Sequence, residues 1–229
     1  MIFQIIRIIV AAVAVVAVLG QCHKPRGWIG RFIVWVMNRS HSRLTDWGLS
    51  DVTIDRHFSI LDVGCGGGRT IQKLAAIAID SKVCGVDYSH ASVSAARHTN
   101  ARAVTDGRVE IVQGSVSQLP FPAATFDLVT AIETHYYWPD LVSDLREVRR
   151  VLKPGGRVVI VAEAYRRNGL VNAVERTVVR LVGGTCLSVD DHRNALTDAG
   201  FVGVAITEER RRGWIAVRGE SPMVSGHES

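Results

Sequence analysis

Along most of the chain, short apolar or alternating runs typical of strands are followed by segments whose apolar residues have helical spacing. This pattern predicts a succession of strands and helices. Short apolar or alternating runs at 60–63, 82–87, 109–116, 126–131 and 157–162 predict strands. Helical spacing between several of these runs, as at 70–79 and 145–152, favours a parallel sheet. Two further strand-like runs, 201–209 and 213–219, are joined by a short arginine-rich turn and predict an antiparallel hairpin. The 229 residues suffice for a single α/β core.

A glycine-rich turn follows the first predicted strand, where residues 60–70 read ILDVGCGGGRT. Glycine lets the backbone turn tightly and lets a ligand approach closely, while the following helix offers unpaired N–H groups to an anion. A dinucleotide fingerprint counted from Gly64 would place Arg69 at the third glycine, so the spacing disfavours a nicotinamide oxidoreductase. From Asp62 the loop reads D-x-G-x-G-x-G.

The second predicted strand ends in a carboxylate, Asp87. Asp87 follows the glycine loop at the sequence spacing at which nucleotide-binding α/β folds place the acid that binds the ribose hydroxyls. An aspartate can accept hydrogen bonds from both hydroxyls, and Tyr88 can pack on an adenine face. The alternative is that Asp87 only caps the helix that begins near Ser89.

Four motifs resemble those of class I S-adenosylmethionine (SAM) methyltransferases. They are the glycine loop, LPF at 119–121 with FDLV at 126–129, VLKPGGRVVI at 151–160, and AGF at 199–201. The chain is most similar to the small-molecule group, methyltransferase type 11, which includes ubiquinone and menaquinone biosynthesis enzymes. The resemblance spans residues 55 to 217. It implies an α/β, Rossmann-like, seven-stranded and mainly parallel sheet with an antiparallel last strand.

The same resemblance implies SAM as the cosubstrate and no metal. On the matching positions it implies these cofactor-binding residues: Asp62, Gly64, Cys65, Gly66, Gly68, Asp87, Tyr88, Ser115, Val116 and Ile132.

An apolar helix is predicted at the N-terminus, over residues 1–22. Residues 1–20 are apolar except for Gln4 and Arg7, and the segment can span a bilayer if Arg7 snorkels. The alternatives are a signal peptide, a buried helix, or a translation start that has been assigned too far upstream. Basic residues follow the segment, which favours a membrane anchor or membrane-lying helix with the catalytic domain on the cytoplasmic face: Lys24, Arg26, Arg31, Arg39 and Arg43.

Residues 23–54 are expected to form a lid segment over the SAM pocket. Their apolar residues Phe32, Trp35 and Val36 have helical spacing. His41 is either a general base facing the acceptor or a helix-end imidazole bonded to backbone. The methyltransferase domain is expected at 55–219, and the polar residues 220–229 are expected to form a flexible tail.

The segment after the fourth strand, residues 132–140, is expected to line the acceptor pocket because ligands bind at the carboxyl ends of parallel strands. It departs from the Leu-His-His pattern common in the family, since His135, Tyr136 and Tyr137 stand at those three positions. Glu133, His135 and Tyr136 are therefore catalytic candidates; packing alone is the alternative for the aromatic side chains. Glu163, after the fifth strand, is either a further pocket residue or a solvated carboxylate.

Charge and cysteine content narrow the class of partner. The net charge of +5 comes from scattered arginines without a nucleic-acid motif, so nucleic acid is not an expected partner, and an anionic membrane surface fits better. The four cysteines lack the spacing of a zinc site or a disulfide framework. Asp190, Asp191 and His192 follow Ser188, which predicts a capped helix N-terminus and not a metal cluster.

The resulting expectation is methyl transfer from SAM to a small-molecule or lipid-like acceptor by in-line displacement. Because the leaving group is neutral, a base is required only for a hydroxyl or carbon acid. A SAM-binding subunit or sensor without turnover is the alternative.

Overall fold

The computed structural model describes residues 42–167, 176–177, 179–181 and 183–223. The strands of its sheet are β1 Ile60–Val63, β2 Val83–Asp87, β3 Val109–Gln113, β4 Phe126–Ile132, β5 Leu152–Ala162, β6 Val202–Glu209 and β7 Trp214–Glu220. The helices around it are α1 Ser42–Leu49, α2 Arg69–Ile77, α3 His90–Thr99, α4 Ala101–Thr105, α5 Leu141–Val151 and α6 Val189–Asp198, with a 3-10 turn at His135–Tyr137.

The seven strands form one sheet in the order β3-β2-β1-β4-β5-β7-β6. Strands β1 to β5 pair in parallel, and β7 lies antiparallel to both of its neighbours. The predicted fold class, with its antiparallel last strand and terminal hairpin, is confirmed. From β1 the chain passes first to β2 and β3 on one side and then to β4 on the other. This reversal opens a crevice beyond the carboxyl ends of β1 and β4, where open α/β sheets bind ligands.

Helices cover both faces of the sheet, which explains why its central strands are almost continuously apolar. On one face, α1, α2 and α3 contribute Leu44, Leu74 and Val93 to the core. On the other face, α5 and α6 contribute Leu145 and Leu196. All five of these side chains are buried.

The Lys-Pro-Gly-Gly sequence, which precedes the fifth strand as predicted at 157–162, lies inside β5. Leu152 pairs with Phe126 and Arg157 pairs with Leu128, so the residues between them form a bulge against a single residue of β4. Gly155 supports this bulge with a φ of 74°.

The boundary predicted for the flexible tail is wrong by at least two residues. Glu220 is the last residue of β7. Ser221 is buried and exchanges two backbone hydrogen bonds with the β5 bulge, accepting from Gly155 at 2.9 Å and donating to Gly156 at 2.8 Å. These bonds extend the ordered chain beyond the predicted end at residue 219. Residues 224–229 of the predicted tail lie outside the described residues.

Most of the predicted N-terminal elements also lie outside the described residues, namely the apolar helix 1–22 and the lid up to and including His41. Of the lid segment, the structure describes α1 and the turn that follows it. None of the helices within the described ranges is long and apolar enough to cross a bilayer.

Candidate active site

A cavity of about 510 Å³ opens at the carboxyl ends of β1, β2 and β4. Its wall combines the glycine loop, the first residues after β2, β3 and β4, and one side of α1. The lining residues are Ser42, Thr45, Asp62, Val63, Gly64, Cys65, Gly66, Gly67, Arg69, Thr70, Val86, Asp87, Tyr88, Ser92, Gly114, Ser115, Val116, Ile132, Glu133, Thr134, Tyr137, Trp138 and Pro139.

The glycine loop is held by main-chain bonds to β2. The N–H groups of Gly64 and Cys65 both donate to the carbonyl oxygen of Val86, at 2.8 and 3.1 Å. Gly64 has a φ of 70°, and a Cβ placed there would come within 2.0 Å of the Thr134 hydroxyl oxygen. Only glycine therefore fits between the loop and the segment that follows β4.

Asp87 fixes the next part of the loop. Its two carboxylate oxygens accept the N–H groups of Gly66 and Ser89, both at 2.9 Å. Burial raises the pKa of the Asp87 carboxyl, and these hydrogen bonds oppose that rise. The hydroxyl of Ser89, and not Asp87, caps α3, accepting from the Ser92 N–H at 3.4 Å. The alternative interpretation of Asp87 as the cap of α3 is therefore wrong.

Asp62 lies on β1 beneath the loop and is 2% exposed. The hydroxyl of Thr130, on β4, donates to its carboxylate at 2.7 Å. Burial raises the pKa of Asp62 to about 7, against the lowering effect of that hydrogen bond. The cavity floor thus carries a carboxyl group that titrates near neutrality.

All the predicted cofactor-binding residues except Gly68 line this cavity. Gly68 instead precedes α2 with a left-handed φ of 77°. Its carbonyl oxygen accepts a hydrogen bond from the Asn100 side chain at 2.9 Å, and a Cβ would meet Ala96 at 2.9 Å. The structure therefore gives Gly68 a role in packing α2 against α3.

Among the predicted catalytic residues, the structure places Glu133 on the cavity wall and Tyr136 behind it. The Tyr136 hydroxyl donates to Glu133 Oε1 at 2.9 Å and accepts the Ala164 N–H at 3.1 Å. The N–H of Glu163 donates to the same Oε1 at 2.5 Å. Tyr136 is 5% exposed, and its burial raises the pKa of its phenol well above the ordinary value, so the phenol stays protonated.

His135 is also buried behind the wall and does not line the cavity. Its Nε2 lies 3.0 Å from the Nε2 of His192, on α6, whose Nδ1 lies 2.7 Å from the Ser188 carbonyl oxygen. Burial lowers the pKa of both imidazoles. Neither His135 nor Tyr136 therefore reaches the cavity as the sequence had suggested, because each is bonded to residues far along the chain. The side chain of Glu163, likewise, is not on the wall.

Several lining residues were not singled out from the sequence. Ser42 and Thr45 face the cavity because α1 docks on α2, where Lys73 donates to the Ser42 carbonyl oxygen at 2.9 Å and pairs with Asp46. Thr134 was passed over within a segment that was otherwise recognised. Its signal was its place two residues after a strand that ends at the ligand edge.

The Asp190–Asp191–His192 cluster forms a helix start, as predicted. Ser188 and Asp191 form a reciprocal capping box at the N-terminus of α6. Asp191 also pairs with Arg166 at 2.7 Å. Across the ranges that the structure covers, no three His, Cys, Asp or Glu side chains are grouped so as to hold a metal ion.

Known proteins resemble this chain in both sequence and fold. The family described as "Methyltransferase domain" matches residues 61–160. The uncharacterized methyltransferase YdaC of Bacillus subtilis is 31% identical over 129 residues, which cover 56% of this chain and 69% of YdaC. The 27-O-demethylrifamycin SV methyltransferase of Amycolatopsis mediterranei is 32% identical over 170 residues, covering 72% of this chain and 61% of that enzyme.

A solved SAM-dependent methyltransferase from Aquifex aeolicus has the same fold. It superposes with a TM-score of 0.68 at 20% identity, covering 83% of this chain and 98% of that one. The sheet order, the position of the cavity beyond β1 and β4, and the sequence matches all point to the same family. The chain belongs to the class I SAM-dependent methyltransferases of the small-molecule type.

Proposed function

We propose that this protein methylates a small, largely apolar acceptor that binds between α1 and the segment 134–139. The observation that carries the proposal is the composition of the cavity wall. One side carries the glycine loop with Asp87 and Tyr88, whereas the other carries Tyr137, Trp138 and Pro139 beside Thr45. A single cavity thus offers a polar nucleoside site and an adjoining aromatic surface.

The residues on the polar side fit SAM. Space is open beside Gly66, where a Cβ would meet nothing within 4 Å, so a ligand can lie against the loop backbone. We assign Asp87 to the ribose hydroxyls and Tyr88 to one face of the adenine; Tyr88 is 39% exposed, which leaves its ring accessible. Ser115 and Val116, after β3, border the same side of the cavity.

SAM supplies an activated methyl group on a sulfonium. The acceptor atom forms a bond to the methyl carbon while the carbon–sulfur bond breaks, and sulfur keeps the electron pair in neutral S-adenosylhomocysteine. The protein contributes proximity and alignment of the acceptor. The catalytic candidates His135 and Tyr136 are bonded behind the wall, so we propose an acceptor that needs no strong base from either residue.

Aromatic and apolar lining favours an apolar acceptor over a charged metabolite. The relative from Amycolatopsis mediterranei is named for 27-O-demethylrifamycin SV, which supports a small-molecule acceptor. The apolar residues 1–20 and the basic residues that follow them further support an acceptor drawn from a membrane, with the catalytic domain on its cytoplasmic face.

The test is methyl transfer from methyl-labelled SAM by the full chain in mild detergent. Lipid and aqueous extracts are supplied separately, and Asp87→Ala is the control that should lose transfer. Label entering the lipid extract supports the proposal, whereas label entering only the aqueous extract excludes a lipid acceptor. Binding of SAM with transfer to neither extract would favour the non-catalytic alternative, for which the remote positions of His135 and Tyr136 are the supporting observation.

A further inference from the structure

Glu133 has an unusual backbone for a residue with a Cβ. In the described part of the chain, non-glycine residues with positive φ are Ala124 and Glu133, and φ at Glu133 is 58°. Left-handed backbone is disfavoured for L-residues and persists where the surroundings impose it. Glu133 follows β4 directly and lines the cavity. The strain therefore lies at the ligand edge of the sheet.

Two hydrogen-bond donors fix the position of the Glu133 carboxylate. The Tyr136 hydroxyl and the Glu163 N–H both donate to Oε1, at 2.9 and 2.5 Å. The Tyr136 hydroxyl in turn accepts the Ala164 N–H. These bonds connect the end of β4, the 3-10 turn and the exit of β5. The network therefore fixes the Glu133 carboxylate in one position on the cavity wall.

The strand order places this carboxylate opposite the proposed nucleoside site. Asp87 and Tyr88 follow β2, on one side of β1, whereas Glu133 follows β4, on the other side. If the ribose lies against Asp87 and the adenine against Tyr88, as the proposed function holds, the methionine part of SAM extends across β1 toward β4. The lining residues with carboxyl or guanidinium groups are Asp62, Asp87, Glu133 and Arg69. Because burial raises the pKa of Asp62 to about 7, Asp87 and Glu133 are the carboxylates that favour a cation here.

We infer that Glu133 determines the preference of this protein for the sulfonium of SAM over the neutral thioether of S-adenosylhomocysteine, and that Tyr136 is its positioning residue. The inference rests on the proposed function, because it needs SAM in this cavity. Methyl transfer removes the positive charge from sulfur, so the attraction to Glu133 is lost when the product forms. The same carboxylate then retains the cosubstrate and favours release of the product.

The experiment is calorimetric titration of the full chain in detergent with three ligands. SAM carries a sulfonium, sinefungin carries an amine at the same position, and S-adenosylhomocysteine carries neither charge. In Glu133→Gln the affinities for SAM and sinefungin are expected to fall about tenfold, while that for S-adenosylhomocysteine changes by less than about twofold. Tyr136→Phe is expected to reduce the same preference by a smaller factor.

Glu133→Gly separates the charge from the backbone. Glycine removes the carboxylate but accepts a φ of 58° without strain. We expect this variant to lose the preference for SAM as fully as Glu133→Gln, while relief of the left-handed backbone partly offsets the stability lost with the two hydrogen bonds to Oε1. Glu163→Gln is the matched control: the side chain it changes is off the cavity wall, and the bond to Glu133 comes from its main chain, so the preference should persist.

Equal losses for all three ligands in both Glu133 variants would overturn the inference, because Glu133 would then act through structure or through the ligand's amino group. Unchanged affinities would overturn it as well. If wild type binds none of the three ligands, the proposed function itself fails. If Glu133→Gln does not fold, Glu133→Gly decides the question.

Discussion

The two sides of the cavity are built in different ways. On the side of β2, the Asp87 carboxylate is fixed by the N–H groups of its own loop and of Gly66 in the adjoining glycine turn. On the side of β4, Glu133 bonds to the nearby Tyr136, but Glu133 and His135 are also fixed by partners 30 and 57 residues further along the chain. The first side is the shorter-range one, with backbone donors at most 21 residues from Asp87. The second side depends on side chains brought together only by the complete fold.

The largest effect is expected where the two sides touch, at Gly64. Gly64→Ala forces a φ of 70° on a residue with a Cβ and places that atom within 2.0 Å of Thr134. We expect a loss of about 3 kcal/mol or more in the free energy of unfolding, together with loss of SAM binding. Chemical denaturation monitored by circular dichroism, with SAM titration of the folded fraction, measures both.

Gly66→Ala is the matched control in the same loop. Its φ is 51°, but a Cβ there would meet nothing within 4 Å. Only backbone strain is then added, and the expected loss of stability is about 1 kcal/mol. Equal destabilisation by the two variants would show that contact between the loop and Thr134 does not matter.

Asp87→Ala tests the short-range side. Removal of this carboxylate leaves the Gly66 and Ser89 N–H groups without their acceptor and removes the proposed ribose ligand. We expect SAM affinity to fall more than about tenfold, as is typical for loss of charged hydrogen bonds. Calorimetric titration measures it.

Asp191→Ala is the control for charge. This substitution breaks the capping box and the pair with Arg166, and it should cost about 1 kcal/mol of stability. Because Asp191 does not line the cavity, the SAM affinity of the Asp191→Ala variant should equal that of wild type. If both aspartate variants bind SAM like wild type, the assignment of the nucleoside site is wrong.

The short-range side could be predicted from the sequence because its signals are local. The order Asp62, Gly64, Asp87 fixes a strand, a turn and a second strand end, and all three residues line the cavity. The capping box at Ser188 was equally readable, since both partners lie within one helical turn. The boundary near Glu220 was missed because its pairing partner, the β5 bulge, lies far away in sequence.

For the β4 side, the sequence predicts the position of the segment but not which of its side chains reach the cavity wall. A polar and aromatic segment after a buried strand points to the ligand edge, which is where Glu133 lies. Nothing local distinguishes Glu133, on the wall, from Tyr136, behind it. The position of Tyr136 depends on Ala164, and that of its neighbour His135 depends on His192. Both contacts require the β5 exit and α6 to be in place.

A weaker effect is expected at the His135–His192 contact, which tests the long-range side by pH. Nδ1 of His192 lies 2.7 Å from a carbonyl oxygen, so Nδ1 carries the proton of the neutral ring and donates it to that oxygen. Nε2 of His192 is then an acceptor, and Nε2–H of His135 donates to it. His135 Nδ1 is then a buried acceptor, and it has no hydrogen-bond partner within the described structure. Both rings are thus neutral in the fold, and a proton on either places a charge in an apolar site.

Burial lowers the pKa of both imidazoles below the unfolded value near 6.5. Their stabilisation is therefore present above that value and is lost as the pH falls toward the folded pKa values. Between pH 7 and pH 6 wild type should lose about 1 kcal/mol of stability through this pair. Thermal unfolding across this range should be less pH-dependent in His135→Leu/His192→Leu, whereas His98→Gln, which changes an exposed imidazole, should behave like wild type. If the double variant keeps the full pH dependence, other titrating groups cause it, and the buried imidazoles are not what makes the β4 side sensitive to acid.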